Sequence, residues 1–344
     1  MPRPLRFCTA AVATVLLFAA CGGGGGSKEN GPVALRLGYF PNLTHAAALV
    51  GVANGIFAKD LGKNVTLKTS TFNAGPAAVE ALFSGALDAT YVGPNPAINA
   101  YQKSNGQAVR IIAGATSGGA ALVVRPTISS AADLKGKKIA SPQLGNTQDV
   151  ALRSWLKKQG LNTTPEGGGD VQVLPQENSQ TLDTFKSGQI DGAWVPEPWA
   201  TRLVLEGKGK VLVDESTLWP GGRFLTTTLI VRTAFLNQHP DVVRNLLKGH
   251  VDATKFVNQN PALAQQIANG AIAQITGKAL SPAVMTAAWK NLTFTWDPLG
   301  STLRKEASDA QAAGLLQDVK LTNIIDVTPL NAVLEVDGQA AVHG

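Results

Sequence analysis

The sequence predicts an α/β protein of two similar lobes, joined by two crossing strands and separated by a cleft. Three observations carry that reading. Strand-like and helix-like stretches alternate from residue 33 onward. Residues 79–92 recur, in order and in kind, at 182–195. Strand-like runs at 110–125 and 224–232 leave the first lobe and return to it.

Residues 33–39 read as a strand, 46–53 as a helix stopped by Asn54-Gly55, and 65–69 as a second strand. A helix over 76–83 ends at Ser84-Gly85, and 89–92 form the next strand, giving a mostly parallel sheet. The order then repeats. Strand 138–140 precedes helix 149–158, which stops at Gly160; strand 171–174 precedes helix 180–186, and 193–195 close the unit. The shared block is Ser84-Gly85-Ala86-Leu87-Asp88 over Ser187-Gly188-Gln189-Ile190-Asp191, each followed by an aromatic residue and Val. Glycine supplies the left-handed helix stop, the apolar residue packs, and the acid is expected to cap the turn. Beyond 232, helices are expected at 234–238, 242–258, 261–269 and 281–291, packing back on the first lobe.

The N-terminus reads as an export signal. Arg3 and Arg6 precede an apolar run over 7–20, shorter than the roughly 20 residues that span a bilayer. Small residues then lead to Cys21, which reads as a lipidation site; an ordinary secretory cut after Ala20 is the alternative. Gly22 to Gly26 and the polar residues to Gly31 make a flexible tether. Loss of residues 1–20 removes both arginines and lowers the formal charge from +6 to +4. Cys8 and Cys21 are the two cysteines, so the processed chain keeps one, and neither a disulfide nor a cysteine metal site is expected. The divisions expected are 1–20 signal, 21–32 lipidated cysteine and tether, 33–118 with 223–344 first lobe, and 119–222 second lobe.

Open α/β sheets take ligands at the carboxyl ends of their strands, and helix N-termini attract anionic oxygens. The candidate ligand residues therefore lie in loops after strands. They are Pro41, Asn42, Thr44 and His45; Asn73, Ala74 and Gly75; Gly93 and Asn95; Ser117, Gly118 and Gly119; and Gly145, Asn146 and Thr147. The second and fifth of these loops, and the first, are expected to open helices. Glu197 and Trp199, in the rigid Pro196-Glu197-Pro198-Trp199 turn, and Thr226 complete the set. Glu197 facing an anion needs a cation partner, for which Arg202, Arg223 or a ligand amine are candidates. No metal-ligand cluster, phosphate loop, nucleophile motif or basic run for nucleic acid is present, so neither a cofactor nor a nucleic-acid partner is expected.

Gly38-Tyr39-Phe40-Pro41-Asn42, Phe72-Asn73-Ala74-Gly75, the Ser-Gly-x-x-Asp block, residues 133–140 and Gly192-Ala193-Trp194-Val195-Pro196-Glu197-Pro198 together resemble the substrate-binding components of nitrate, sulfonate and taurine ABC importers. The resemblance spans nearly the whole processed chain and, at 117–119 and 144–147, is similar to the aliphatic sulfonate branch. It implies the type II periplasmic binding protein fold and no reaction. It also implies a small-molecule ligand, an ABC permease and its ATPase as partners, and a lipid-anchored monomer at the outer face of the cytoplasmic membrane. Nitrate, bicarbonate, pyrimidines, flavins and aromatic acids are the alternative ligands. Pyrimidine-precursor synthases share the scaffold but use a cysteine-rich iron motif that this chain lacks.

Overall fold

A computed structural model describes residues 32–318 and 320–344; the expectations for the leader, Cys21 and the tether fall outside the described residues. In the first lobe the chain runs β1 (Val33–Tyr39), α1 (Ala46–Ala53), α2 (Ile56–Leu61), β2 (Val65–Thr71), α3 (Gly75–Phe83), β3 (Ala89–Val92), α4 (Pro94–Lys103) and β4 (Val109–Gly118). It crosses into β5 (Ala120–Val124), β6 (Lys138–Ser141), α5 (Thr147–Lys158), β7 (Gln172–Pro175), α6 (Asn178–Lys186), β8 (Gly192–Pro196), α7 (Trp199–Leu205) and β9 (Lys210–Asp214). It returns as β10 (Leu225–Arg232), followed by α8 (Thr233–Gln238), α9 (Pro240–Gln259), α10 (Pro261–Thr276), α11 (Pro282–Trp289), β11 (Leu292–Phe294), α12 (Gly300–Ala312) and α13 (Thr328–Val336).

The strands form two sheets, ordered β11-β4-β10-β3-β1-β2 and β7-β6-β8-β5-β9. The expectation of mostly parallel sheets needs correction. Among the described residues, β1-β2, β1-β3, β6-β7 and β6-β8 are the parallel strand pairs; β10 runs against β3 and β4, β11 against β4, and β5 against β8 and β9. The physical reason is the crossings. A strand that leaves a sheet and one that comes back to it run in opposite senses. At the first crossing Gly118 and Gly119 both have positive φ, +81° and +74°, a turn that other residues make only with strain.

The repeated block plays one structural part in both lobes. Gly85 and Gly188 take the left-handed conformation after α3 and α6, with φ of 74° and 85°. The acids, however, do not cap those turns. Asp88 accepts the Arg36 N–H at 2.9 Å, and Asp191 accepts the Lys138 N–H at 2.9 Å. Each aspartate thus stitches the start of its own strand, β3 or β8, to the parallel strand beside it, β1 or β6. Asp88 also receives Arg36 and Arg232 side chains, which hold its carboxyl below the usual range despite burial.

Beyond residue 232, α9 buries Val243, Leu246, Leu247, His250, Val251 and Val257 at helical spacing against α1 and α2. Each fully buried Leu or Val there contributes about 1.5–3 kcal/mol. Phe57 fits between Gly51 and Gly249, where an added Cβ would lie 2.5 and 2.6 Å from its ring. The sequence reading does not include α2, α7, β9, β11, α12 or α13, nor α4, which opens at the loop Gly93-Pro94-Asn95-Pro96. Helix α12 is the notable addition, since it packs on both α4 and α5 and so touches both lobes.

Candidate functional site

Loops from the ends of both sheets meet around a cavity of about 20 Å³. The first lobe lines it with Phe40, Asn42, Thr44, His45, Asn73, Gly93 and Thr226; the second with Asn146, Thr147, Gln148, Asn178 and Pro196. Three helices of the second and first lobes start here: α5 at Thr147, α6 at Asn178, and α4 just past Gly93. The first-turn N–H groups of a helix have no partner within it and carry its positive dipole end, so the starts of α5 and α6 make an anion-seeking surface built without a cation; α4 opens with Pro94 and Pro96, which have no N–H to offer.

Two side-chain atoms in this lining are buried without a hydrogen-bond partner: the Thr147 Oγ1 and the Asn178 Oδ1. Buried polar atoms without partners are rare, and these two sit where a solute would meet them. His45 is buried and stacked on Phe40 with ring centroids 4.4 Å apart. Its Nδ1 accepts the Phe40 N–H at 3.2 Å, which places the ring proton on Nε2. Burial lowers its pKa to about 3, so the imidazole is a neutral donor. The lobes touch tightly here. A Cβ on Gly93 would lie 2.2 Å from the Thr147 Oγ1. The Gly75 N–H donates to the Asn146 Oδ1 at 3.2 Å, and the Trp199 Nε1–H donates to the Asn42 Oδ1 at 2.9 Å.

Outside this cavity the cleft widens into a groove of about 800 Å³, lined by Pro41, Asn42, Asn73, Glu177, Asn178, Trp199, Arg202, Glu206 and Lys278 among others. The Arg202 guanidinium stacks over Trp199, 4.6 Å from the ring centroid, and pairs with Glu206 at 2.9 Å. Arg202 is therefore occupied and does not serve Glu197.

Several candidates lie elsewhere. Glu197 is buried, and its carboxylate accepts the Thr201 N–H, the Thr201 hydroxyl and the Asn291 amide at 3.1, 2.8 and 2.7 Å. Burial raises its pKa, opposed by those same bonds. With Ser117, Gly118 and Gly119 it lines a separate groove of about 890 Å³ at the crossing strands, not the inner cavity. Asn95 turns its amide to the Glu306 carbonyl at 3.2 Å, and the Gly145 N–H donates to Asp149 at 3.0 Å. Ala74 is buried at the start of α3, and Gly75 contributes its backbone N–H across the cleft. Phe40, Gln148 and Pro196 stand in the same loops as the candidate ligand residues, whereas Asn178 lies in none of those loops. For Asn178 the signal existed: it opens the helix after β7, the second strand of the repeated unit, as Gly75 opens the helix after β2 in the other lobe. Among the described residues no group of three or more His, Cys, Asp or Glu side chains is placed to hold a metal ion.

The model of the NMT1-like family matches residues 28–272. The chain belongs to the NMT1-like family. Within it, a curated relative is the taurine-binding periplasmic protein of Escherichia coli K12, 32% identical over 215 residues, which are 62% of this chain and 64% of that protein. Less than two thirds of that relative's length is therefore matched. Solved structures with the same fold include the alkanesulfonate-binding protein SsuA from Xanthomonas axonopodis pv. citri bound to MOPS. It has a TM-score of 0.70 at 21% identity and covers 86% of this chain and 99% of that one. The periplasmic nitrate-binding protein NrtA from Synechocystis PCC 6803 has a TM-score of 0.75 at 16% identity, covering 88% and 89%. This NMT1-like chain thus has the periplasmic binding protein fold.

Proposed function

We propose that this chain is the exported solute-binding component of an ABC importer, and that it holds a small organic anion, taurine or an aliphatic sulfonate, between its lobes. It is not proposed to be an enzyme. The observation that carries the reading is the unpartnered Thr147 hydroxyl at the start of α5, inside a cavity that both lobes complete. A sulfonate oxygen there accepts from that hydroxyl, from the first-turn N–H groups and from the neutral His45. Charge-assisted bonds of this kind are worth about 1.5–3 kcal/mol each. Asn178 Oδ1 supplies an acceptor for an amine, which favours taurine over a plain alkanesulfonate. Its place in the inner cavity makes Asn178, rather than Glu197, the residue to meet that amine.

About 20 Å³ holds roughly one water molecule. A solute of several atoms is therefore admitted by separation of the lobes about the crossings, and the groove at the mouth is its entry. That small volume favours a second reading, in which nitrate or bicarbonate is the solute. A lipid at Cys21 and the glycine tether would hold the protein at the outer face of the membrane, beside the permease.

A thermal-shift panel decides between these readings, because a solute that binds only the folded state raises the midpoint. Taurine and alkanesulfonates are expected to raise it. A midpoint moved by nitrate or bicarbonate and not by sulfonates selects the second reading. A response to pyrimidines or flavins alone rejects both.

A further inference from the structure

We propose that closing the two lobes on one another takes up a proton from solvent into a buried cavity shared by Glu215 and Glu306. The two acids come from opposite lobes. Glu215 follows β9 in the second lobe, and Glu306 lies on α12, which packs on α4 of the first lobe and against α5 of the second. Both line a cavity of about 120 Å³ between those elements, together with Ser154, Lys158, Trp219 and Lys305.

Neither acid has a cation of its own. Lys305 pairs with Asp309 at 2.6 Å and lies over the Trp219 ring, and Lys158 pairs with the same Asp309 at 2.7 Å. On α5 the neighbouring Asp149 and Arg153 are closed on each other at 3.1 Å. From α4, Asn95 reaches the Glu306 backbone carbonyl and leaves the carboxyl alone. Glu215 accepts the Trp194 indole N–H at 2.7 Å, and the Trp219 indole also favours its charged form; neither partner is a cation. The Glu306 Oε1 has no partner, and neither has the Ser154 hydroxyl across the cavity. Three carboxyls, of Glu215, Glu306 and Asp309, thus face two ammonium groups, of Lys158 and Lys305. One proton makes the cluster neutral, and a neutral cluster is the form that burial tolerates. Water in the cavity would solvate these groups without removing the surplus charge.

Burial raises the pKa of Glu215 to about 7 and that of Glu306 well above its ordinary value, with the charge of Glu215 adding to the effect at Glu306. A solvated glutamate titrates near about 4.3. Above that pH the closed form holds more protons than a form whose lobes have parted. Closure is therefore favoured as pH falls, and the advantage is lost as pH rises through the closed-form values. One proton changes the equilibrium by at most about tenfold per pH unit. The consequence is that a captured solute travels with a proton and is released more readily at higher pH.

The test reads closure directly and needs no solute, so it stands or falls apart from the sulfonate reading. Fluorescent dyes at Glu80→Cys and Lys186→Cys, both exposed and on different lobes, report the interlobe distance by energy transfer, with Cys8 and Cys21 replaced by serine. The short-distance population is expected to grow several-fold between pH 8 and pH 5.5. Glu306→Gln, which mimics the protonated acid, is expected to show the acid-form distribution already at pH 8 and to lose the pH response. Glu215→Gln, on the other lobe, should blunt the response too. A distribution that does not change with pH in the parent chain overturns the proposal, as does a response undiminished in Glu306→Gln. The parent profile is decisive even where a variant fails to fold.

Discussion

Asn146, at the start of a second-lobe helix, accepts the N–H of Gly75, at the start of a first-lobe helix, across 3.2 Å. One lobe thereby caps the other. The bond exists only while the lobes are closed, so its loss weakens capture without weakening either lobe. A neutral hydrogen bond is worth about 0.5–1.5 kcal/mol. Asn146→Ala is expected to raise the dissociation constant of the best-bound solute about twofold to tenfold in calorimetry.

Thr147→Val keeps the shape of the side chain and removes an unpartnered hydroxyl. Affinity for an anion should fall about tenfold or more, from the loss of a bond worth about 1.5–3 kcal/mol. The solute-free chain should unfold at an unchanged or higher temperature, because nothing in the protein used that hydroxyl. Equal loss of stability and affinity would contradict this account.

Glu197→Gln should weaken taurine and methanesulfonate alike. The carboxylate is satisfied by Thr201 and by Asn291 and lies outside the inner cavity. Asn178→Leu should instead penalise taurine more than methanesulfonate. Competition assays with the two solutes on each variant separate these outcomes.

His45 gives a stability signature in acid. Its pKa is about 3 in the folded chain and near 6.5 when unfolded. The unfolded state therefore binds the proton first, and stability contributed above pH 6.5 drains away as pH falls toward 3. His250, lowered to about 4 by burial, acts in the same direction. In His45→Gln, the midpoint of thermal unfolding should fall less steeply between pH 6.5 and 4.

Much of this was legible in the chain itself. The Ser-Gly-x-x-Asp block announced two equivalent lobes because glycine at a left-handed helix stop leaves a local mark, and Gly85 and Gly188 stand there. Loops such as Asn42 to His45 and Asn146-Thr147 could be nominated because helix starts attract polar residues. What escaped was non-local. Nothing near Glu197 in sequence reveals that Asn291 meets it, 94 residues on. Nothing around Asp88 says that it bonds Arg36 rather than its own turn. Helix α12, with Glu306, lies where apolar periodicity is weak, and its place is set by contacts with two lobes at once.

The missing methyl group at Gly93 governs timing as well as fit. Its α-carbon stands against the Thr147 side chain so closely that a single added carbon would collide at 2.2 Å. Alanine there would act as a wedge, holding the jaws ajar and shortening the dwell time of whatever they enclose. This position is where an engineer building a solute sensor on this fold would set its response time.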